Sequence, residues 1–447
     1  MRHARLVAGC CAVLSMMALS ESQVGATTGK ESTSDYGAVA GRAAAGDLDA
    51  ARVLRAAGPA GLSALLDAAV AGKGQGAVAA SLAERPVLDS LTIDEHALDL
   101  VCAQVDCASS RLYWFTDFAA ARREAERTGR PIVALRLLGR LDEELSCANS
   151  RYFRLVLYSD PAISGWLRDH AVLYWSSERP VPKVTVDYGD GRRLVGTVTG
   201  NSIHYMLDPH GRLVDAMPGL HTPKRFLMWL QGAGAMAQKW APLADSAFAA
   251  RSREEHERLD KELLAGLVRE LTQSGWNEKA AWAAWGEPEP EEPRPRAVAV
   301  SAEQAAPLAL SKSSAESPLL SALGRRPKQP LESRGVDALK LTRSWNVTLS
   351  AESRALVLAR APAAALENPD AALLRLEGRL AEDGLRNEAF LHRAIHQELA
   401  RAAGLWSWED LNLWVYADLF LTPASDPWLG LAPTELLGAL LPVAATP

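Results

Sequence analysis

The spacing of apolar residues changes period several times along this chain, and each change marks a predicted element. Asp47 to Gly72 is Ala/Leu-rich at helical spacing and broken at Gly58-Pro59, which predicts two short helices; Ile93 to Val105 predicts another. Asp117 to Arg127 places Phe118, Ala121 and Ala125 on one helical face. Arg130-Pro131 then introduces the apolar run Ile132 to Leu138, a buried strand by length and content. Helices are predicted from Cys147 and over Ile163 to Asp169. Ala171 to Trp175 and Lys183 to Tyr188 read as strands, the latter alternating Val184, Val186 and Tyr188. Ile203 to Leu207 and Arg212 to Met217 flank the turn-forming Asp208-Pro209-His210-Gly211, a hairpin, and Pro223 to Gln231 closes the series as a helix. The order β-α-β-(β)-β-β-α over about 120 residues suits one α/β domain.

Beyond it, Glu254 to Leu271 is a strongly amphipathic helix. From Glu287 the chain alternates proline with charge, then runs Ser/Ala/Pro-rich to about Pro330. Such composition cannot build a packed core and reads as an extended linker. Helical patterns return over Ala351–Ala361, Asp370–Ala381, Leu385–Ala403 and Trp408–Leu421. Five of the thirteen tryptophans (Trp345, Trp406, Trp408, Trp414, Trp428) lie in this last part, enough aromatic area for a folded core. The expected fold class is therefore α+β and multidomain. A leader spans 1–26, a helical region 27–110, the α/β domain 111–235, a helical extension 236–285, the linker 286–335 and a Trp-rich helical domain 336–447.

Met1 to Ala26 reads as a secretory signal, with Arg2 and Arg5 before an apolar Leu6 to Leu19 and small residues at Val24-Gly25-Ala26. That apolar run is shorter than the roughly 20 residues a bilayer span needs, so an exported chain without a transmembrane segment is expected, periplasmic or extracellular. The formal charge of −6 and the lack of a basic cluster argue against a nucleic-acid partner. Cys10 and Cys11 would leave with the leader. Cys102 and Cys107 sit in a short polar connection, where an oxidising compartment favours a disulfide, two buried thiols being the alternative. Cys147 is then the odd one.

Five short motifs succeed one another between Arg130 and Gly211. Arg130-Pro131-Ile132 enters the strand, and Ser146-Cys147-Ala148-Asn149-Ser150-Arg151-Tyr152-Phe153 opens the next helix. Tyr158-Ser159-Asp160-Pro161, Gly200-Asn201-Ser202-Ile203 and Leu207-Asp208-Pro209-His210-Gly211 come after. In this order and spacing, Leu112 to about Gln231 resembles the thioredoxin superfamily, and most closely its secreted thioredoxin-like group. The resemblance implies a thioredoxin-like fold. It sets Cys147 on the first redox cysteine, Ser150 on the second, Phe153 on a methionine and Ser202 on the cis-proline beside the thiol. About six extra residues, including Asp142, Glu143 and Glu144, separate strand from cysteine, so the redox site is degenerate. The chain also resembles exported bacterial proteins with Ser-Cys-Ala-Asn-Ser-Arg, Gly-Asn-Ser-Ile-His-Tyr and Ser-Asp-Pro-Trp-Leu-Gly-Leu segments, which bring no activity with them.

A cysteine at a helix N-terminus is favoured as thiolate, and a thiolate attacks a disulfide to give a mixed disulfide that a second thiol resolves. With Ser150 in that place an external thiol is needed, while the three carboxylates oppose the helix dipole. Asn149, Asn201, Ser202 and His204 are candidates to line a pocket at Cys147, His204 also reading as a satisfied strand histidine. Glu388, His392 and His396 recur every fourth residue on one predicted helix. His392 and His396 can share a metal ion, but Glu388 and His396 are about 12 Å apart along the axis, so the three cannot. No phosphate loop, serine elbow or hydrolase carboxylate pair is present. The leading expectation is a protein-interaction module with little or no dithiol chemistry and no cofactor. Its rivals are a monothiol isomerase or reductase with Cys147 as nucleophile and Ser150 as hydrogen-bond donor, acting on a protein or thiol-containing substrate, and metal handling through His392 and His396.

Overall fold

The computed structural model describes residues 36–71, 93–197, 200–273, 275, 277, 347–361, 363–402, 406–420 and 422–426. The expected leader and linker, with Trp345 and Trp428, lie outside the described residues.

Three helices open the described part of the chain: α1 (Gly37–Ala44), α2 (Leu48–Ala56) and α3 (Pro59–Ala71), followed by α4 (Glu95–Cys102). Asp47 caps α2 by accepting from the amides of Asp49 and Ala50, and Asp94 caps α4 through Ala97. Their alanine and leucine faces form a core of their own, centred on Leu54, Leu65, Leu98 and Val101. Cys102 and Cys107 are joined in a disulfide at the exit from this layer. Two indoles fasten the layer to the strands of the central sheet: Trp114 Nε1 donates to Gln104 Oε1 at 2.7 Å, and Trp175 Nε1 to the Ala103 carbonyl at 2.9 Å.

The centre is a mixed α/β unit. Its elements are β1 (Trp114–Phe115), α5 (Phe118–Thr128), β2 (Ile132–Leu138), α6 (Ala148–Tyr152) running into a π turn over Phe153–Leu157, α7 (Pro161–His170) and β3 (Val172–Arg179). After β4 (Lys183–Asp187) and β5 (Arg193–Thr197) come β6 (Ser202–Leu207), β7 (Leu213–Pro218) and α8 (Pro223–Trp240). Five strands form one sheet in the order β1-β3-β2-β6-β7. The first three are parallel, whereas β6 runs antiparallel to β2 and β7 antiparallel to β6. The β6–β7 turn is set by Asp208, whose Oδ1 accepts from the amides of His210 and Arg212, and by Gly211 at φ 88°. Lys183–Asp187, predicted as a strand, does not join this sheet. It pairs with Arg193–Thr197 in a separate hairpin that sequence reading missed, because both strands are largely exposed and neither carries a buried apolar face.

Side chains alternate across the sheet and feed two cores. Val133, Leu135, Leu137, Leu173, Trp175 and Met206 face α6 to α8. Ile132, Ala134, Tyr174, Ile203 and Tyr205 face α5. After α9 (Asp245–Gln273), the helices α10 (Ala351–Ala359), α11 (Pro369–Arg386), α12 (Arg393–Arg401) and α13 (Trp408–Trp414) enter these two cores rather than building one of their own. Leu373, Leu380 and Leu385 join the first; Ile395, Leu399, Trp408, Leu411 and Tyr416 join the second. Between α11 and α12 lies a π turn over Asn387–His392. Among the described residues no helix is long and apolar enough to cross a membrane.

Candidate functional site

Cys147 is the N-cap residue of α6, in extended conformation, and its Sγ accepts from the Ser150 amide at 3.4 Å. The apolar run of β2 delivers the chain to this point, and Gly200 closes over it. A Cβ on Gly200 would lie 3.3 Å from the Cys147 Cβ and 3.4 Å from the Ala148 amide nitrogen, so this position fits tightly against the start of α6. The cysteine has no exposed surface and is not in a disulfide. Ser150 Oγ, the expected partner of a thiolate, is buried without a hydrogen-bond partner among the described residues.

The polar residues around it hold structure together. Asn149 Nδ2 donates to Ser202 Oγ at 2.8 Å, which ties α6 to the start of β6. Asn201 is tied to the C-terminal part of the chain: its Nδ2 donates to Thr422 Oγ1 and its carbonyl accepts from Tyr416 Oη. The acidic insertion is neutralised by arginines. Asp142 and Glu143 pair with Arg140, and Glu144 with Arg154 and Arg360. His204 is not part of a pocket with Cys147. Strand alternation turns it toward the other core, among Phe153, Phe226 and Trp229, with its Nε2 2.7 Å from Tyr158 Oη. Burial there, with His221 nearby, pushes its pKa down to about 3.

A second constellation lies where β7, α9 and the turn before α12 meet. Asp215 comes from the middle of β7, His221 from the loop after it, His256 from α9, Glu388 and His392 from the π turn and His396 from α12. All six are buried. His256 Nε2 lies 3.0 Å from the Val214 carbonyl. A carbonyl only accepts, so the ring proton sits on Nε2, and in the neutral ring Nδ1 presents a lone pair inward. That atom is 3.0 Å from Nδ1 of His396, which lies 3.7 Å from Asp215 Oδ1. Asp215 is held in turn by Trp229, whose Nε1 donates to Oδ2 at 3.0 Å. One atom each from Asp215, His256 and His396 thus lie within 4.8 Å of one another.

His221 repeats the pattern: Nε2 is 2.9 Å from the Pro218 carbonyl, and Nδ1 turns toward Glu388 Oε1 at 3.5 Å, too long for a full hydrogen bond. His392 Nδ1 is closer to the same carboxylate, 3.1 Å from Oε2. Burial opposes the charge on Glu388, but the two imidazoles more than reverse it and hold the carboxyl well below its ordinary value. Burial likewise disfavours charge on His392, and Glu388 outweighs it, so this histidine is raised. His256 and His396 go the other way. Burial lowers both, and for His396 the neighbouring His392 and His256 add to the effect. The surroundings thus favour charge on the Glu388–His392 pair and disfavour it on the rings of His256 and His396.

A cleft of about 590 Å³ opens over the cluster, with Asp215, Trp229, Arg225, Glu388, His392 and His396 in its walls. Sequence reasoning found His392 and His396 from their helical spacing and paired them with each other. His392 turns Nδ1 to Glu388, and the converging set is Asp215, His256 and His396 instead. Asp215 had one sequence signal, a lone carboxylate in the apolar run Leu213 to Met217; His256 had none beyond its place in an amphipathic helix. Comparisons of the chain with protein-family models, curated proteins and solved structures returned no match.

Proposed function

We propose that this is an exported thioredoxin-like protein that has given up thiol–disulfide exchange and works by binding a ligand at the histidine–carboxylate cluster. The thioredoxin-like part of the reading is supported by three parallel and two antiparallel strands in the order β1-β3-β2-β6-β7. Cys147 opens the helix after β2, and Ser202 opens β6 against Asn149. The observation that carries the functional part is a contrast in access. Cys147, the group that would start exchange, has no exposed surface, whereas four cluster residues line an open cleft. An attacking thiolate must reach a disulfide sulfur in line, and a thiol with no exposed surface cannot.

Labelling Cys147 with iodoacetamide in the native and the guanidinium-unfolded protein tests this. The native rate is expected to be slower by roughly 100-fold or more, because reaction needs local opening. Monothiol exchange remains the rival because of the Ser150 amide at the sulfur. A native rate equal to or above the unfolded one would establish it.

A further inference from the structure

The cluster contains ring nitrogens whose hydrogen atoms are already committed elsewhere. His256 spends its Nε2 proton on Val214, so its Nδ1 lone pair must be met from within the core. The nitrogen beside it is Nδ1 of His396, at 3.0 Å, with the Asp215 carboxylate 3.7 Å beyond. We propose that Asp215, His256 and His396 bind one divalent transition metal ion of the zinc class, with its remaining coordination position facing the cleft. This rests on the reading of the cluster as the ligand site.

Four observations carry it. The three donor atoms lie within 4.8 Å of one another on three different elements. Their contacts of 3.0 and 3.7 Å bracket the edge of a tetrahedron around zinc, about 3.3 Å for bonds near 2.05 Å. Two of the three carry the outer support that metal ligands use. The far nitrogen of His256 is on a backbone carbonyl, and the second oxygen of Asp215 is on the Trp229 indole. Finally, His392 Nε2 is buried without a hydrogen-bond partner among the described residues, its ring centroid is 4.3 Å from that of His396, and it lines the same cleft. It is placed to meet whatever completes the coordination.

The donor set selects the ion. Two imidazoles and one carboxylate suit zinc, cobalt, nickel or copper, whereas calcium and magnesium take oxygen donors. Three protein ligands leave the fourth place for water or a guest, the arrangement of reactive rather than structural zinc sites. An anion alone is a poorer occupant, because two of the three arginines in the cleft wall, Arg225 and Arg258, are paired with Glu270 and Glu255.

The test is a cobalt(II) titration of the chelator-stripped full chain, read by visible absorption and tryptophan fluorescence. One equivalent of cobalt should give tetrahedral d–d bands, which zinc abolishes and magnesium and calcium leave unchanged. His256→Gln and Asp215→Asn should each weaken binding by more than the roughly 10–100-fold that an outer-shell change costs. Cys147→Ser should bind as the parent does. Should the cluster variants fail to fold, the parent still decides: its melting temperature must rise progressively with cobalt concentration. No visible band with millimolar cobalt, or binding unchanged in both variants, would overturn the site. Iodoacetamide labelling in the same samples separates the two claims. Fast labelling with intact cobalt bands removes the exchange-silent reading alone; slow labelling without bands removes the metal site alone.

Discussion

His256 and His396, 140 residues apart in the chain, meet with their Nδ1 atoms 3.0 Å apart and their rings stacked at an interplanar angle of 30°. In metal-free protein the contact requires a proton from His396, since the proton of His256 is on the Val214 side. The pair therefore joins α9 to α12 through one buried hydrogen bond. Replacing either ring strands the other, and His256→Leu also strands the Val214 carbonyl. Each single change is expected to cost about 2–3 kcal/mol, and the double change less than the sum by about 1–2 kcal/mol. A urea double-mutant cycle in chelator measures this coupling; strict additivity would show that the hydrogen bond is not made.

His204 sets an acid limit on stability. Its folded pKa of about 3 lies below the unfolded value near 6.5, so stability from keeping it neutral is present above pH 6.5 and lost as pH falls toward 3. Between pH 7 and pH 5 the loss from this residue alone is about 2 kcal/mol. His204→Gln keeps a partner for Tyr158 but cannot titrate. The parent should therefore lose about 2 kcal/mol more than the variant over that interval in urea unfolding. Equal pH slopes for the two would show that His204 is protonated in the folded chain. Asp99, raised by burial to about 6, works in the opposite direction in both proteins and cancels in the comparison.

Arg154 is almost fully buried below the Cys147 turn, where it donates to Asp106 Oδ2 at 2.7 Å, while Arg360 holds Oδ1 from the partly exposed side. Arg154→Met removes one of the two cations from a buried carboxylate. The expected loss is about 3 kcal/mol, the low end for breaking a buried pair, because Arg360 stays. Adding Asp106→Asn should restore part of it, since asparagine tolerates the φ of 61° at this position and carries no charge. Melting curves of the parent, the single and the double variant decide; a double variant less stable than the single would contradict the charge argument.

Local pattern carried the sheet, and chain-distant packing carried the rest. Ile132 to Leu138 is apolar except at Arg136, so its burial could be read directly. Its alternation between two cores could not, because what covers Ile132 and Ala134 includes Ile395, Trp408 and Tyr416 from helices more than two hundred residues later. The hairpin at Asp208 to Gly211 comes from turn chemistry within a few residues. Glu388, His392 and His396 showed their helical spacing, yet the ligand geometry depends on Asp215 and His256. A carboxylate in a strand and a histidine in an amphipathic helix look solvent-facing until α9 is laid across β7. The same limit applies to Cys147: its place before a helix was visible, but its complete burial was not.

Cys147 is best understood as a helix cap made of sulfur. Its Sγ accepts from the Ser150 amide, and its side chain is packed in the core with Val172, Val181 and Ile203. Cys147→Ser should keep the cap with a better acceptor, at the cost of a buried hydroxyl, and stay within about 1 kcal/mol of the parent. Cys147→Ala loses both the acceptor and the packing of the sulfur and should be destabilised by about 1–2 kcal/mol. Neither change should alter cobalt binding at the cluster. Guanidinium unfolding of the three proteins ranks them. If Cys147→Ala proves as stable as the parent while Cys147→Ser is strongly destabilised, the sulfur serves as an apolar filler and the cap is made by other groups.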